Sequence, residues 1–409
     1  MRTIQKSEVP RIAYLDGLRG VAALMVLMAH LMISLFPAVV TFSPAEVHTA
    51  WDIPLGLSPL AVLWTGNFAV CIFFVLSGFV LSDFCQRTRL SFPAQLARRY
   101  CRLAVPMLLT STFAWFLLHF GLYKNVVAAE RVTHSGWLAT WYNFHPNFFN
   151  MALEALLRAF VQGHARYNCN LWTMQIEIIG SFYIFALFML FKNRYLRLIA
   201  LLCFLGSGFH GYYLMFAVGA LLYDFHPEWS AFRQRMPFMP LQRLFILLVF
   251  ITALYLGAYP NTPPSLVSPW YVGLKKLSPL SSYMAGAVLL VTCILQSPAL
   301  QLILSSKPCK FLGKISFVLY LIHIPIICSY SAWVAYLTRA LPYNLTALLT
   351  AATTVIVVLF VSHILYRYLD QYTTEWSRRL GDWLDERISF AELPVKNASR
   401  LETAEGYLS

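Results

Sequence analysis

Three ionisable residues stand in one apolar stretch near the start of the chain. In YLDGLRGVAALMVLMAH, residues 14–30, the positions Asp16, Arg19, Ala23, Val26 and His30 follow at steps of three, four, three and four. On a helix of 3.6 residues per turn they form a single stripe. A charge at the centre of a bilayer costs about 2.5–3.5 kcal/mol on insertion scales, so this stripe is expected to face protein or a water-filled cavity. For Asp16 and Arg19 the plain alternative is a pair at the cytoplasmic interface; for His30 it is a satisfied interior histidine. An imidazole held inside a membrane protein is, however, suited to proton transfer near neutral pH.

A second candidate is the carboxylate of NLWTMQIEIIGSFY, where Gln175 and Glu177 lie in an apolar run. A buried carboxylate is seldom incidental. Counting helical rise inward from Tyr14 and Leu171 puts His30 and Glu177 both in the outer half of the bilayer. If they meet, the carboxylate would favour the protonated ring or fix one tautomer, as a base for a hydroxyl nucleophile requires. The arginines of RRYCRL, Arg98, Arg99 and Arg102, form a third constellation. Positive-inside topology alone can explain them, but Arg98 and Arg102 are one helical turn apart, and guanidinium groups bind phosphate in bidentate fashion. In FFVLSGFVLS, Ser77 and Gly78 read first as close helix packing. Tyr320 and His323 in GKISFVLYLIHIPI read equally as interhelical bonds or as chemistry.

These residues need helices to hold them. Of 409 residues, 59% are hydrophobic and 12% charged, far more apolar than a soluble domain. The pattern predicts an all-α polytopic membrane protein with ten spans, at about 14–36, 67–84, 104–122, 171–191, 195–208, 211–223, 243–259, 281–297, 315–336 and 345–366. The short fifth and sixth, joined at Gly206, Gly208 and Gly211, leave eight spans open as an alternative. The domains are a cytoplasmic N-terminus (1–13), a membrane core (14–366) and a cytoplasmic tail (367–409), helical to about Phe390. Most of the 31 Lys and Arg fall on segments that this topology puts in the cytoplasm, which explains the net charge of +13 without nucleic acid. The first span is too long for a cleaved signal, contains His30 and lacks a clear cleavage site.

Between the spans, residues 150–161 predict an amphipathic surface helix with Glu154 and Arg158 paired. Trp137, Trp141, Tyr142 and Phe144 are expected as interfacial anchors, or else as a stacking platform for a carbohydrate. Of eight cysteines, only Cys169 is expected outside, so no external disulfide and no metal site are expected.

Taken together, YLDGLRGVAALMVLMAH, FFVLSGF, RRYCR, LWTMQIE and ISFVLYLIHIP, in this order, resemble the acyltransferase-3 family of integral membrane O-acyltransferases, over about residues 11–366. The resemblance implies transfer of an acyl group, commonly acetyl from acetyl-CoA, to a hydroxyl of an extracytoplasmic glycan or other acceptor. It implies a ten-span core with Arg19 and His30 at the active centre and Arg98, Arg99 and Arg102 on the CoA phosphates. Glu177 matches the acidic position of the family's fourth-span motif, although LWTMQIE departs from the usual serine-containing, two-acid form. On this reading His30 is general base or acyl carrier, Glu177 its orienting partner and Arg19, beside Asp16, an electrostatic stabiliser. The expected partners are the lipid bilayer, acyl-CoA and the acceptor, and the expected location is a bacterial inner membrane. No appended esterase-like domain is expected. The competing classes are an ion-coupled transporter or flippase, which would move substrate without CoA, and a non-catalytic sensor.

Overall fold

The computed structural model describes residues 12–88, 90–206, 211–235, 239–263, 266 and 268–405. Helices dominate and no strand occurs among the described residues. The long ones are α1 (Ala13–Leu35), α2 (Gly66–Arg87), α3 (Phe92–His119), α4 (Trp172–Leu190), α5 (Arg194–Gly206), α6 (Tyr212–Arg235), α7 (Met239–Gly257), α8 (Pro279–Gln296), α9 (Lys307–Ile326), α10 (Tyr343–Leu365) and α11 (Gln371–Glu405). The end of the bundle holding Asp16 is termed inner, and the end holding His30 outer.

Among the described residues, eight helices are long and apolar enough to cross a bilayer: α1–α4, α7, α8, α9 with its continuation to Leu337, and α10. The expected fifth and sixth spans exist as α5 and α6 but fail that test. One has only 13 residues, and the other carries Asp224, Glu228, Arg233 and Arg235 in its second half. Packing nevertheless keeps the alternation of direction. Ser77 meets Glu177 and Phe84 meets Phe185, so α4 runs parallel to α2. Phe74 meets Tyr212 and Phe79 meets Tyr223, so α6 does too. The chain must therefore turn back between them, and α5 is the segment that does so, over about 20 Å. Its inner end is fixed by Arg197, which donates through Nε to Asp224 Oδ2 (2.8 Å) and through its NH1 group to the Phe191 and Lys192 carbonyls (2.9 Å each). Of the expected turn between the two, Gly208 lies outside the described residues, as does most of the expected N-terminal segment.

Close backbone approach sets the centre. A Cβ added to Gly20 would lie 2.4 Å from Gly313 N, and one added to Gly313 2.4 Å from the Asp16 carbonyl oxygen, so α1 and α9 pack backbone to backbone and in parallel. Gly78 does the same for α2 and α6, where a Cβ would meet Phe216 O at 2.2 Å, as its small size predicts. Within α9, Pro325 has no N–H to give the Leu321 carbonyl. The buried Asn168 side chain donates to that oxygen instead, at 2.6 Å, and Asn170 Nδ2 donates to Tyr320 O at 2.8 Å. The segment before α4 is thus clamped onto α9.

Four expectations about the connections change. Arg98, Arg99 and Arg102 stand within α3, which begins at Phe92 with Ser91 as its N-cap and Pro93 in its first turn, rather than in a loop before the span. The helical stretch 148–161 does not float on the surface. Met151 meets Thr112 and Leu156 O accepts from Tyr100 Oη at 2.7 Å, so it descends along α3. Glu154 is buried and accepts from the backbone N–H of Arg166 and Tyr167, 2.7 Å each, rather than pairing with Arg158. Trp137 and Tyr142 pack inward, Tyr142 stacked on Tyr123 with centroids 3.8 Å apart, as parts of an outer cap. The C-terminal helix runs to Glu405, past Phe390, and α11 lies antiparallel on α3: Asp385 accepts from Ser91 N (2.7 Å), and Thr374 from Arg102 (3.1 Å).

Candidate active site

The bundle encloses two cavities that share a wall. The outer one, about 250 Å³, is lined by Val26, His30, Trp64, Asn67, Trp137, Asn170, Trp172, Tyr259, Asn261 and Tyr283, among others. It is an aromatic chamber with amide groups at intervals. The inner one, about 380 Å³, holds Asp16, Arg19, Asp83, Arg98, Arg99, Arg102, Glu177 and Lys314. Val70 and Tyr320 line both. Tyr320 is buried, with its hydroxyl 2.9 Å from Thr173 Oγ1 and 3.1 Å from the Asn170 carbonyl oxygen, to which it donates.

The stripe on α1 faces inward as expected, and it serves both chambers. Asp16 and Arg19 line the inner cavity, 3.6 Å apart as an i,i+3 ion pair. Val26 and His30 line the outer one. Helical rise separates Arg19 from His30 by about 16 Å.

The expected meeting of His30 and Glu177 is not made. Glu177 Oε1 accepts from the guanidinium of Arg99 (2.6 Å) and from Ser77 Oγ (2.8 Å), while Arg99 Nε donates to Ser181 Oγ at 3.0 Å. The reason is depth. Ala29 stands against Gly66 at the outer end of α2, whereas Glu177 is level with Ser77, about 16 Å further along that helix by helical rise. The α4 helix starts beneath the outer cap, so counting inward from Leu171 as the membrane boundary put Glu177 too high.

His30 has another partner. Its Nδ1 lies 2.9 Å from the Val26 carbonyl oxygen and 3.1 Å from Nε2 of His323, a fully buried residue whose own Nδ1 lies 3.0 Å from the Leu319 carbonyl oxygen. Trp137 stands against the other side of His30, with ring centroids 5.2 Å apart. The sequence shows His323 only as a lone histidine two residues before a proline, and Asn168 and Asn170 as ordinary loop amides; nothing in their spacing pairs them with α1 or α9.

The three arginines of α3 do share a cavity, with Arg19 and Lys314. All three already have protein partners, Arg98 over the Phe84 ring, Arg99 on Glu177 and Arg102 on Thr374. A cluster so arranged holds its guanidinium groups in fixed directions before an anion arrives. Among the described residues, no group of three or more His, Cys, Asp or Glu side chains could hold a metal ion.

An apolar helical bundle with a histidine on one chamber and a basic cluster in the next defines an integral membrane protein with ionisable side chains gathered in its interior. The chain belongs to the acyltransferase-3 family, whose profile, described as an acyltransferase domain, matches residues 12–367. It is similar to O-acetyltransferase PaAT-1 of Phomopsis amygdali, 24% identical over 432 residues, covering 92% of this chain and 85% of that protein. It is also similar to acyltransferase clz18 of Cochliobolus lunatus, 23% identical over 393 residues with 78% and 84% covered. Acyltransferase R4 of a Phoma species is 24% identical over 389 residues, with 78% and 83% covered. No solved structure is significantly similar to the chain. The protein is a membrane acyltransferase.

Proposed function

We propose that this acyltransferase takes an acyl group, acetyl in the simplest case, from an acyl-CoA seated in the inner cavity. It passes the group to a hydroxyl of a carbohydrate or other acceptor seated in the outer one. The observation carrying this reading is the pair of cavities of opposite chemistry that meet at Val70 and Tyr320. Five cationic side chains suit the phosphates of a coenzyme, whose long pantetheine arm then extends toward His30. Seven Phe, Trp and Tyr rings with amides between them suit a polyol or another acceptor with flat apolar faces.

In the reaction, the acceptor oxygen attacks the thioester carbonyl carbon while its proton passes to His30 Nε2. The C–S bond then breaks, the imidazolium returns the proton to the departing sulfur, and an ester and free CoA thiol leave. Arg19, about 16 Å from His30 by helical rise, joins Arg98, Arg99 and Arg102 on the phosphates rather than steadying the reacting carbonyl. Glu177 holds Arg99, and Asp16 holds Arg19. A bilayer whose coenzyme pool lies on the face where the protein's basic loops gather, as at a bacterial inner membrane, is the setting this reading supplies.

The test is acceptor-dependent thiol release from acetyl-CoA by the purified protein in lipid nanodiscs, across a panel of glycans and small alcohols. Replacing His30→Ala should cut turnover by about 10³-fold or more, within the range of a lost general base, with insertion unchanged. Wild-type turnover in that variant would refute the assignment.

A further inference from the structure

The two histidines that meet across α1 and α9 are chained in one direction only. The carbonyl oxygen of Leu319 can only accept, so His323 Nδ1, 3.0 Å away, carries a proton. The carbonyl of Val26 likewise requires a proton on His30 Nδ1, 2.9 Å away. The contact between His30 Nδ1 and His323 Nε2, 3.1 Å, is then a hydrogen bond in which His30 donates and His323 accepts. The reverse assignment would protonate both nitrogens of His323, a charged imidazolium with 0% exposure and no carboxylate hydrogen-bonded to it, which burial strongly disfavours. It would also turn the lone pair of His30 Nδ1 onto the Val26 oxygen.

We infer that His323 is a positioning residue for the transfer. By accepting the His30 Nδ1–H bond it fixes the tautomer that leaves His30 Nε2 unprotonated and facing the outer cavity. This deepens the reading of His30 as the base and rests on it. The ring is gripped at Nδ1 from two sides, by its own helix and by α9, so its plane is set before the acceptor arrives. When Nε2 takes the acceptor proton, the Nδ1–H bond to a neutral imidazole and a carbonyl supports the charge until the proton passes to the departing thiolate. Pro325 and the Asn168 and Asn170 clamp hold the turn of α9 that carries His323, so the second ring is itself fixed. The part that a buried carboxylate plays in hydrolytic triads falls here to a second imidazole, which brings no charge into the membrane.

The experiment compares full-length wild type, His323→Leu and His323→Gln in nanodiscs, with ¹⁵N spectra of the histidine rings in wild type. Leucine fills the site without an acceptor; glutamine returns one at its Oε1. A wrong tautomer costs about 10⁴-fold in the serine proteases. Because Val26 still holds Nδ1–H, His323→Leu should lower kcat by about 10²-fold, a smaller loss than that, with both KM values unchanged. His323→Gln should recover about tenfold of that, since a hydrogen-bond acceptor is restored. Equal losses in the two variants, a loss confined to KM, or wild-type turnover in His323→Leu overturns the inference. If His323→Leu does not fold, the spectra decide: His30 protonated at Nδ1 and bare at Nε2 supports it, and the opposite tautomer ends it. The two readings fail separately. An active His30→Ala removes the base itself, whereas an inactive His30→Ala beside a fully active His323→Leu removes only the positioning role.

Discussion

The two chambers solve the problem of polar groups inside a membrane protein in opposite ways. In the inner cavity, charge is met with charge: Glu177 against Arg99 at 2.6 Å and Asp16 against Arg19 at 3.6 Å, while the lining Asp83 is met at 2.8 Å by Arg87 from outside it. In the outer cavity the polar groups are neutral. His30 is tied to the buried His323 behind it, Asn170 to the Tyr320 carbonyl, and the Tyr320, Tyr259 and Tyr283 hydroxyls to backbone carbonyls. Charged pairs suit a place where a polyanion docks and leaves, because they keep the cations oriented between visits. Neutral bonds suit a place where a proton must move, since no fixed charge then pins it.

The contrast breaks most visibly if one half of the inner pair is removed. Arg99→Met should destabilise the protein by about 3 kcal/mol, the low end for a buried pair, because both side chains reach the cavity. The double variant Arg99→Met/Glu177→Leu should recover most of that stability while still binding acyl-CoA poorly. A denaturation double-mutant cycle in detergent measures it, and a double variant no more stable than the single would show that the pair is not what matters. The next effect is smaller and sorts the chambers by ligand. Arg102→Ala should raise KM for acyl-CoA by about tenfold, the loss of one charge-assisted phosphate contact, and leave the acceptor KM alone. Trp137→Ala should do the reverse. Steady-state kinetics with each substrate varied in turn would merge the two chambers if both variants moved the same constant.

The smallest effect lies in the outer cap. Burial pushes His48 below its ordinary value of 6.5, against the weaker opposing pull of the Thr133 carbonyl that its Nε2 contacts at 2.7 Å. On acidification the unfolded chain therefore takes up this proton first, and stability falls as pH drops through and below that ordinary value. The thermal midpoint should decline between about pH 7.5 and 5.5, on either side of the ordinary imidazole value, and His48→Gln should flatten the decline. A flat wild-type profile would remove His48 from the cap's stability.

Much of this molecule was legible in its residues. Apolar runs marked the long helices, the α1 stripe faces the interior, Gly78 does lie at a close helix contact, and the three arginines do share a cavity. The motifs were enough for the family, which the match over residues 12–367 bears out. What could not be read was relative depth. Helical rise counts distance along one helix from its own end, and α4 begins beneath a cap of short helices, so Glu177 sits level with Ser77 and not with His30. Nor could the aromatic residues of 137–144 be told from lipid anchors, because the same rings suit an interface with lipid and a buried wall.

The amino-acid order by itself determined that this chain enters a bilayer as helices, which helix faces must hide from lipid, and to which family it belongs; all three follow from composition, period and short motifs, which are local. Only the tertiary structure decided who stands beside whom. His30 meets His323 because α1 and α9 pack in parallel through Gly20 and Gly313, and Glu177 meets Arg99 because α3 and α4 bring those two turns to one level. Such pairings depend on how far each helix is displaced along its neighbour. That displacement is set by packing contacts between residues tens to hundreds of positions apart, and no local pattern records it.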